Sequence, residues 1–166
     1  MEVGLVGREG MTGTAVVLGD DQSPHETYIQ VAGEGQRIPA AELRKAMKAS
    51  QSLHGLLLRY VQAFMVQTAH TAIANARAKL DERLSRWILM AHDRMAGNTL
   101  ALTHEFLALM LGVRRAGVTE ALQSLARQRL IEPRRGEIVV LNRQGIVRRA
   151  GSSYGAPEAE YRRLIG

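Results

Sequence analysis

The spacing of apolar residues changes along the chain, and each change marks an element. Over residues 52–77, Leu57, Val61, Phe64, Thr68 and Ala72 fall four, three, four and four apart, which is the seam of a heptad-like helix. Leu58, Met65, Ala69, Ile73 and Ala76 broaden that seam. About 25 residues at 1.5 Å each give a rod of roughly 38 Å. A rod this long and apolar needs a partner, so the five seam residues are expected at a dimer interface in preference to the core of a single domain.

Before the rod, "PAAELRKAMKAS" predicts a short helix with Pro39 in its first turn. Residues 1–40 predict short strands and turns. Gly4, Gly7, Gly10, Gly13 and Gly19 punctuate the first part, and Thr27, Tyr28, Ile29 and Val31 are strand formers. No Gly-Lys-Ser/Thr follows those glycines, so they read as turns, not as a phosphate loop. After the rod the pattern resets near Lys79–Asp81. Asp81 is expected as a helix N-cap, and Leu84, Trp87, Ile88 and Ala91 form one apolar stripe. Residues 97–103 read as a loop or short strand.

The stretch "THEFLALMLGVRRAGVTEALQSL" carries the candidate chemistry. Thr103 caps a helix whose apolar face is Phe106, Leu107, Met110 and Leu111, and Gly112 supplies the left-handed residue that ends it. A second helix over about 114–126 turns Val118, Ala121, Leu122 and Leu125 inward at i, i+3, i+4 and i+7. Arg115, Ala116, Thr119, Glu120 and Gln123 face the other way. Two short helices joined by a tight glycine turn are a helix-turn-helix signature. On DNA the second helix enters the major groove. There Arg115 suits guanine, Glu120 cytosine and Gln123 adenine, with Thr119 beside them as a fourth base contact. Thr103 and Arg114 sit where phosphate contacts are expected. The following strands, within 130–141, flank "EPRRGE" and predict a wing whose Arg134 and Arg135 meet phosphates.

Charge supports this reading. The net charge is +6. Residues 1–113 balance 11 Lys/Arg against 11 Asp/Glu, while residues 114–166 hold 11 Arg against 5 Glu. Arginine forks bind phosphate and guanine edges, so a polyanion partner, double-stranded DNA, is expected. The absence of cysteine excludes disulfides, thiolate metal sites and thiol catalysis. The five histidines show no metal-ligand spacing, and neither paired carboxylates nor a serine–histidine set stands out, so no metal and no enzyme activity are expected. No apolar run reaches the ~18 residues of a membrane span. The N-terminus does not read as a secretory signal, so a cytoplasmic protein is expected. Two other classes fit parts of the pattern. One is a protein-interaction module using the rod and the winged helix. The other is a small enzyme using the glycine-rich N-terminus, against which the missing lysine argues.

In order and spacing, "RLSRWILMAHDRM", the helix-turn-helix stretch and "LIEPRRGEIVVLNRQGI" resemble the DNA-binding domain of the Crp/Fnr family of bacterial transcription regulators. The rod resembles that family's dimerisation helix, and residues 1–50 resemble the last strands and turns of its cyclic-nucleotide-binding-like β-roll. The resemblance implies an α+β, mainly α chain. It would comprise a partial β-roll (1–50), a dimerisation helix (51–79), a winged helix-turn-helix domain (80–150) and a tail (151–166). It implies a homodimer on a pseudo-palindromic operator, with RNA polymerase as a candidate further partner. Family members are longer, so the first half of the sensory domain is expected to be missing. A short form of this kind could pair with full-length relatives. The family's recognition-helix arginine matches Arg115, but a neighbouring glutamate is Ala116 here and a further basic residue is Glu120, which implies a different half-site. His104 matches a phosphate contact. Cyclic-AMP sensors of the family carry a glutamate where this chain has Thr14 and an arginine where Glu26 aligns, next to Thr27. Cyclic AMP is therefore not expected, and without cysteines neither is an iron–sulfur cluster.

Overall fold

The computed structural model describes residues 1–166. After a 3-10 turn at Thr14–Leu18 come α1 (Ala40–Ala49), α2 (Gln51–Arg77) and α3 (Leu80–Arg94). Then follow β1 (Thr99–Ala101), α4 (His104–Leu111), α5 (Arg115–Arg127), β2 (Ile131–Arg134) and β3 (Glu137–Val140). The chain ends with α6 (Arg143–Ala150), a 3-10 turn at Gly151–Ser153 and α7 (Ala156–Leu164). The fold is mainly helical with one small antiparallel sheet of order β1-β3-β2, the expected class.

The main core lies between α3, α4, α5, α6 and the sheet, and joins 19 buried residues. Trp87 is its largest side chain and meets Phe106 edge-on at 6.0 Å. Asn142 caps α6 by accepting from the Gly145 N–H at 2.9 Å. Ion pairs hold α6 to α3: Arg149 bonds Asp81, and Arg143 meets Asp93 at 2.6 Å and the Tyr154 hydroxyl at 2.8 Å. Burial and the Asp93 bond push the Tyr154 hydroxyl far above its usual range, so it stays a donor.

Asp81 is therefore not the N-cap. The helix begins a residue earlier, at Leu80, because the Glu82 carboxylate reaches back to accept from the Lys79 N–H at 3.0 Å. Asp81 sits in the first turn, free to bind Arg149.

The strands expected in residues 1–40 do not form; that segment holds only the 3-10 turn. A strand exists by pairing, and at Leu5 and Met11 the backbone bonds to side chains of α2 instead. The Leu5 N–H donates to Gln67 Oε1 at 2.6 Å and the Met11 N–H to Tyr60 Oη at 3.0 Å. At its start, the Glu2 N–H donates to the Met110 carbonyl at 2.9 Å. Residues 1–11 thus form a strap from α2 to the end of α4.

The 27 residues of α2 make a rod of roughly 40 Å. Of the five residues expected at a dimer interface, Leu57, Val61, Phe64, Thr68 and Ala72, the first four pack within the chain. Val61 is buried in a small cluster with Val17, Leu43 and Met47, against which Leu57 packs. Phe64 stacks on Tyr60 and, with Thr68, lies close to Gly4. Only Ala72 of the five is exposed. The open stripe starts one residue on, at Leu58, Gln62, Met65, Ala69, Ala72 and Ala76, with Ile73 at its edge. The tail packs back on α2 as α7, with Arg59 Nε donating to the Leu164 carbonyl at 3.0 Å. The two seams share heptad spacing, and sequence alone does not say which of them the N-terminal segment covers.

Polar bonds fix the winged unit on the rod. Arg86, 4% exposed, donates to Thr71 Oγ1 at 2.8 Å, and Arg83 bridges Asn75 at 3.1 Å and the Leu111 carbonyl. Burial raises the Glu2 carboxyl above its usual range, and the nearby Arg86 and Arg94 guanidinium groups only partly offset this. A raised folded-state value means that the contribution of Glu2 to stability is complete at acid pH and is lost as pH rises. Relative to the native chain, Glu2→Gln should therefore gain in melting temperature between about pH 4 and about pH 7. Calorimetry across that range checks it, and a constant difference would contradict the burial argument.

Candidate nucleic-acid interface

Thr103 caps α4, its hydroxyl accepting from the Phe106 N–H at 3.1 Å. Leu107 and Leu111 point into the core. Gly112 then adopts φ 64°, ψ 40°. The Gly112 N–H donates to the Leu109 carbonyl at 3.3 Å and the Val113 N–H to the Ala108 carbonyl at 3.0 Å, the paired bonds of a left-handed helix end. That reversal lets α5 cross α4. Val118, Ala121, Leu122 and Leu125 are all buried, as their spacing predicts.

The outer face of α5 is what remains. Arg114, Arg115, Ala116, Glu120, Gln123 and Arg127 are exposed. None of the three arginines has an acidic partner, and the core leaves the whole face open. Thr119 is different. It is half-buried, donates to the Arg115 carbonyl at 3.1 Å and lies 3.0 Å from His104 Nδ1 on α4. The helix-turn-helix thus joins Thr119 to His104 and leaves Arg115, Glu120 and Gln123 free.

Beside this face, β2 and β3 form the expected hairpin, with Gly136 at φ 76° in its turn. Pro133 is tolerated because β2 is an edge strand. The two wing arginines are not equivalent. Arg134 holds Glu132 through two bonds of 3.0 and 3.2 Å, which keeps the Glu132 carboxyl below its usual range. Arg135 has no such partner. Three of the five expected phosphate-contact residues, Thr103, His104 and Arg134, therefore carry structural bonds of their own. Sequence reading missed Arg127, exposed one turn beyond Gln123 on the same helix.

A domain profile described as a Crp-like helix-turn-helix domain matches residues 82–149. Residues 82–149 are thus similar to a Crp-like helix-turn-helix domain. The fold agrees with that of two solved structures. FixK2 from Bradyrhizobium japonicum is 20% identical with a TM-score of 0.63, over 69% of this chain and 60% of that one. TTHB099, a CRP-family transcriptional regulator from Thermus thermophilus, is 23% identical with a TM-score of 0.53, over 60% of this chain and 54% of that one. The chain thus spans 54–60% of the length of these relatives. Among curated proteins, none matches the chain significantly in sequence.

A Cβ is strained at position 112, where φ is 64°. Gly112→Ala should lower unfolding free energy by about 1–2 kcal/mol in urea titrations, from the strain of a Cβ at positive φ. A neutral effect would mean that the turn relaxes to another conformation.

Proposed function

We propose that the protein is a sequence-specific DNA-binding transcription regulator that acts as a dimer on a pseudo-palindromic operator. The observation that carries this is the outer face of α5. Exposed Arg114, Arg115, Glu120 and Gln123 stand on a helix held from behind by a fully buried apolar side, with an arginine-bearing hairpin beside it. Such a helix fits the major groove with its N-terminal end towards the bases. Arg115 is matched to guanine, Glu120 to cytosine N4 and Gln123 to adenine. Arg114, His104 and Arg135 lie where phosphate oxygens would pass, and Thr103 supports that end of α4.

The dimer would form along the open stripe of α2. Leu58, Met65, Ala69, Ala72 and Ala76 repeat at four- and three-residue steps, with Ile73 flanking and Gln62 as the one polar position. Two α2 rods paired there would set the recognition helices about 34–36 Å apart, one turn of DNA. The cyclic-AMP sensors' pattern is no part of this reading. Thr14 stands in place of their glutamate, and Glu26, exposed and bonded to Tyr28, would repel a phosphate.

Anisotropy on promoter fragments with competitor DNA tests the reading. Affinity should fall steeply with salt, and Arg115→Ala should lose about 1–3 kcal/mol of discrimination at one base pair. Arg135→Ala should weaken all sequences about equally. DNA-indifferent behaviour of the folded protein would refute the reading.

The dimer has its own test. Ala69→Glu, at the middle of the open stripe, should shift sedimentation from dimer to monomer, since two carboxylates would face each other across the seam. Val61→Ala should instead lower stability with no such shift, because Val61 is buried within one chain.

A further inference from the structure

We propose that Thr119 is a positioning residue for His104, and that His104 bonds a DNA phosphate only as an imidazolium, so that DNA binding takes up a proton at this site. This rests on the DNA-binding reading above and changes the role of one of its residues.

The argument is hydrogen-bond accounting. A threonine hydroxyl has one proton to give. Thr119 gives it to the Arg115 carbonyl at 3.1 Å, one turn back in α5. Its oxygen can then only accept from His104 Nδ1, 3.0 Å away, so Nδ1 carries the hydrogen. In a neutral imidazole that leaves Nε2 as a bare acceptor. A phosphate oxygen is also an acceptor, so neutral His104 has nothing to offer it. Protonated at Nε2, the same ring donates and brings a positive charge. Histidine is the side chain that exchanges a proton in the physiological range, which makes the contact proton-linked.

The surroundings favour coupling to DNA. His104 is the first residue of α4, where the positive end of the helix dipole opposes a second positive charge. Arg115, one turn before Thr119 on the packed helix, opposes it as well. Glu105 beside it on α4, and Glu120 next to Thr119 on α5, act the other way. The strap meets α4 only at its far end, where Glu2 reaches Met110. An arriving phosphate would add countercharge directly at Nε2. Thr119, one of the four side chains expected to read bases, is thereby committed to the helix-helix contact.

Two measurements test this. In the free protein, the nitrogen shifts of His104 at about pH 8 should report the Nδ1–H tautomer. The tautomer should persist in Thr119→Ser and be lost in Thr119→Val, which keeps the shape without the hydroxyl. In anisotropy with a duplex of about 30 base pairs, affinity should rise at least roughly threefold from about pH 8 to about pH 6. The salt slope should steepen by about one over the same range. His104→Gln should remove both pH effects, and Thr119→Ser should retain them. An Nε2–H tautomer in the native protein overturns the proposal, as does pH dependence that survives in His104→Gln. DNA binding that is salt-sensitive but independent of pH overturns the proposal and leaves the DNA-binding reading standing. Absence of salt-sensitive DNA binding at either pH overturns both.

Discussion

The left-handed backbone at Gly112 is the constraint on which the candidate interface depends. It stops α4 after two turns and lets α5 leave at a steep angle, so that one side of α5 faces the core and the other faces solvent. Without that reversal, the apolar stripe of Val118, Ala121, Leu122 and Leu125 would continue past the core of α3 and β1–β3. The arginines at 114 and 115 stand at the start of α5 for the same reason. They follow the turn at once and occupy the end of the helix that no other element covers.

The second constraint is the joint between this unit and the long helix. Two arginines of α3 act there as bridges: Arg86 to Thr71 and Arg83 to Asn75 and the Leu111 carbonyl. A buried guanidinium is tolerated only where its surroundings compensate it. Glu2 supplies opposite charge from the strap, although its own burial raises its carboxyl and so works against that charge. Polar bonds, which are directional, thus help to fix the orientation of α5 relative to the α2 stripe. The separation of two recognition helices in a dimer would be set through that joint.

Sequence by itself determined the local structure wherever one physical rule dominated. Helical periodicity located α2, α4 and α5, the glycine at 112 fixed the turn, the inward residues of α5 were legible from their spacing, and the hairpin followed from "EPRRGE". The mainly helical class with a small sheet followed from these. Contacts between segments far apart in the chain were not legible this way. Heptad spacing is satisfied equally by the seam at Leu57 and by the one at Leu58, and only the packing of residues 1–18 and α1 on Val61 and Phe64 decided which stays open. The strand formers Thr27, Tyr28, Ile29 and Val31 have no neighbouring strand to pair with, and it is Leu5 and Met11, earlier in the segment, that bond α2 side chains. Asp81 could cap a helix, yet it serves Arg149, 68 residues away. Thr119 faces outward by periodicity, but only the crossing of α4 and α5 brings His104 to it and turns a candidate reader into a bonded pair. Periodicity is local information, and the partner of a polar atom is a property of the tertiary structure.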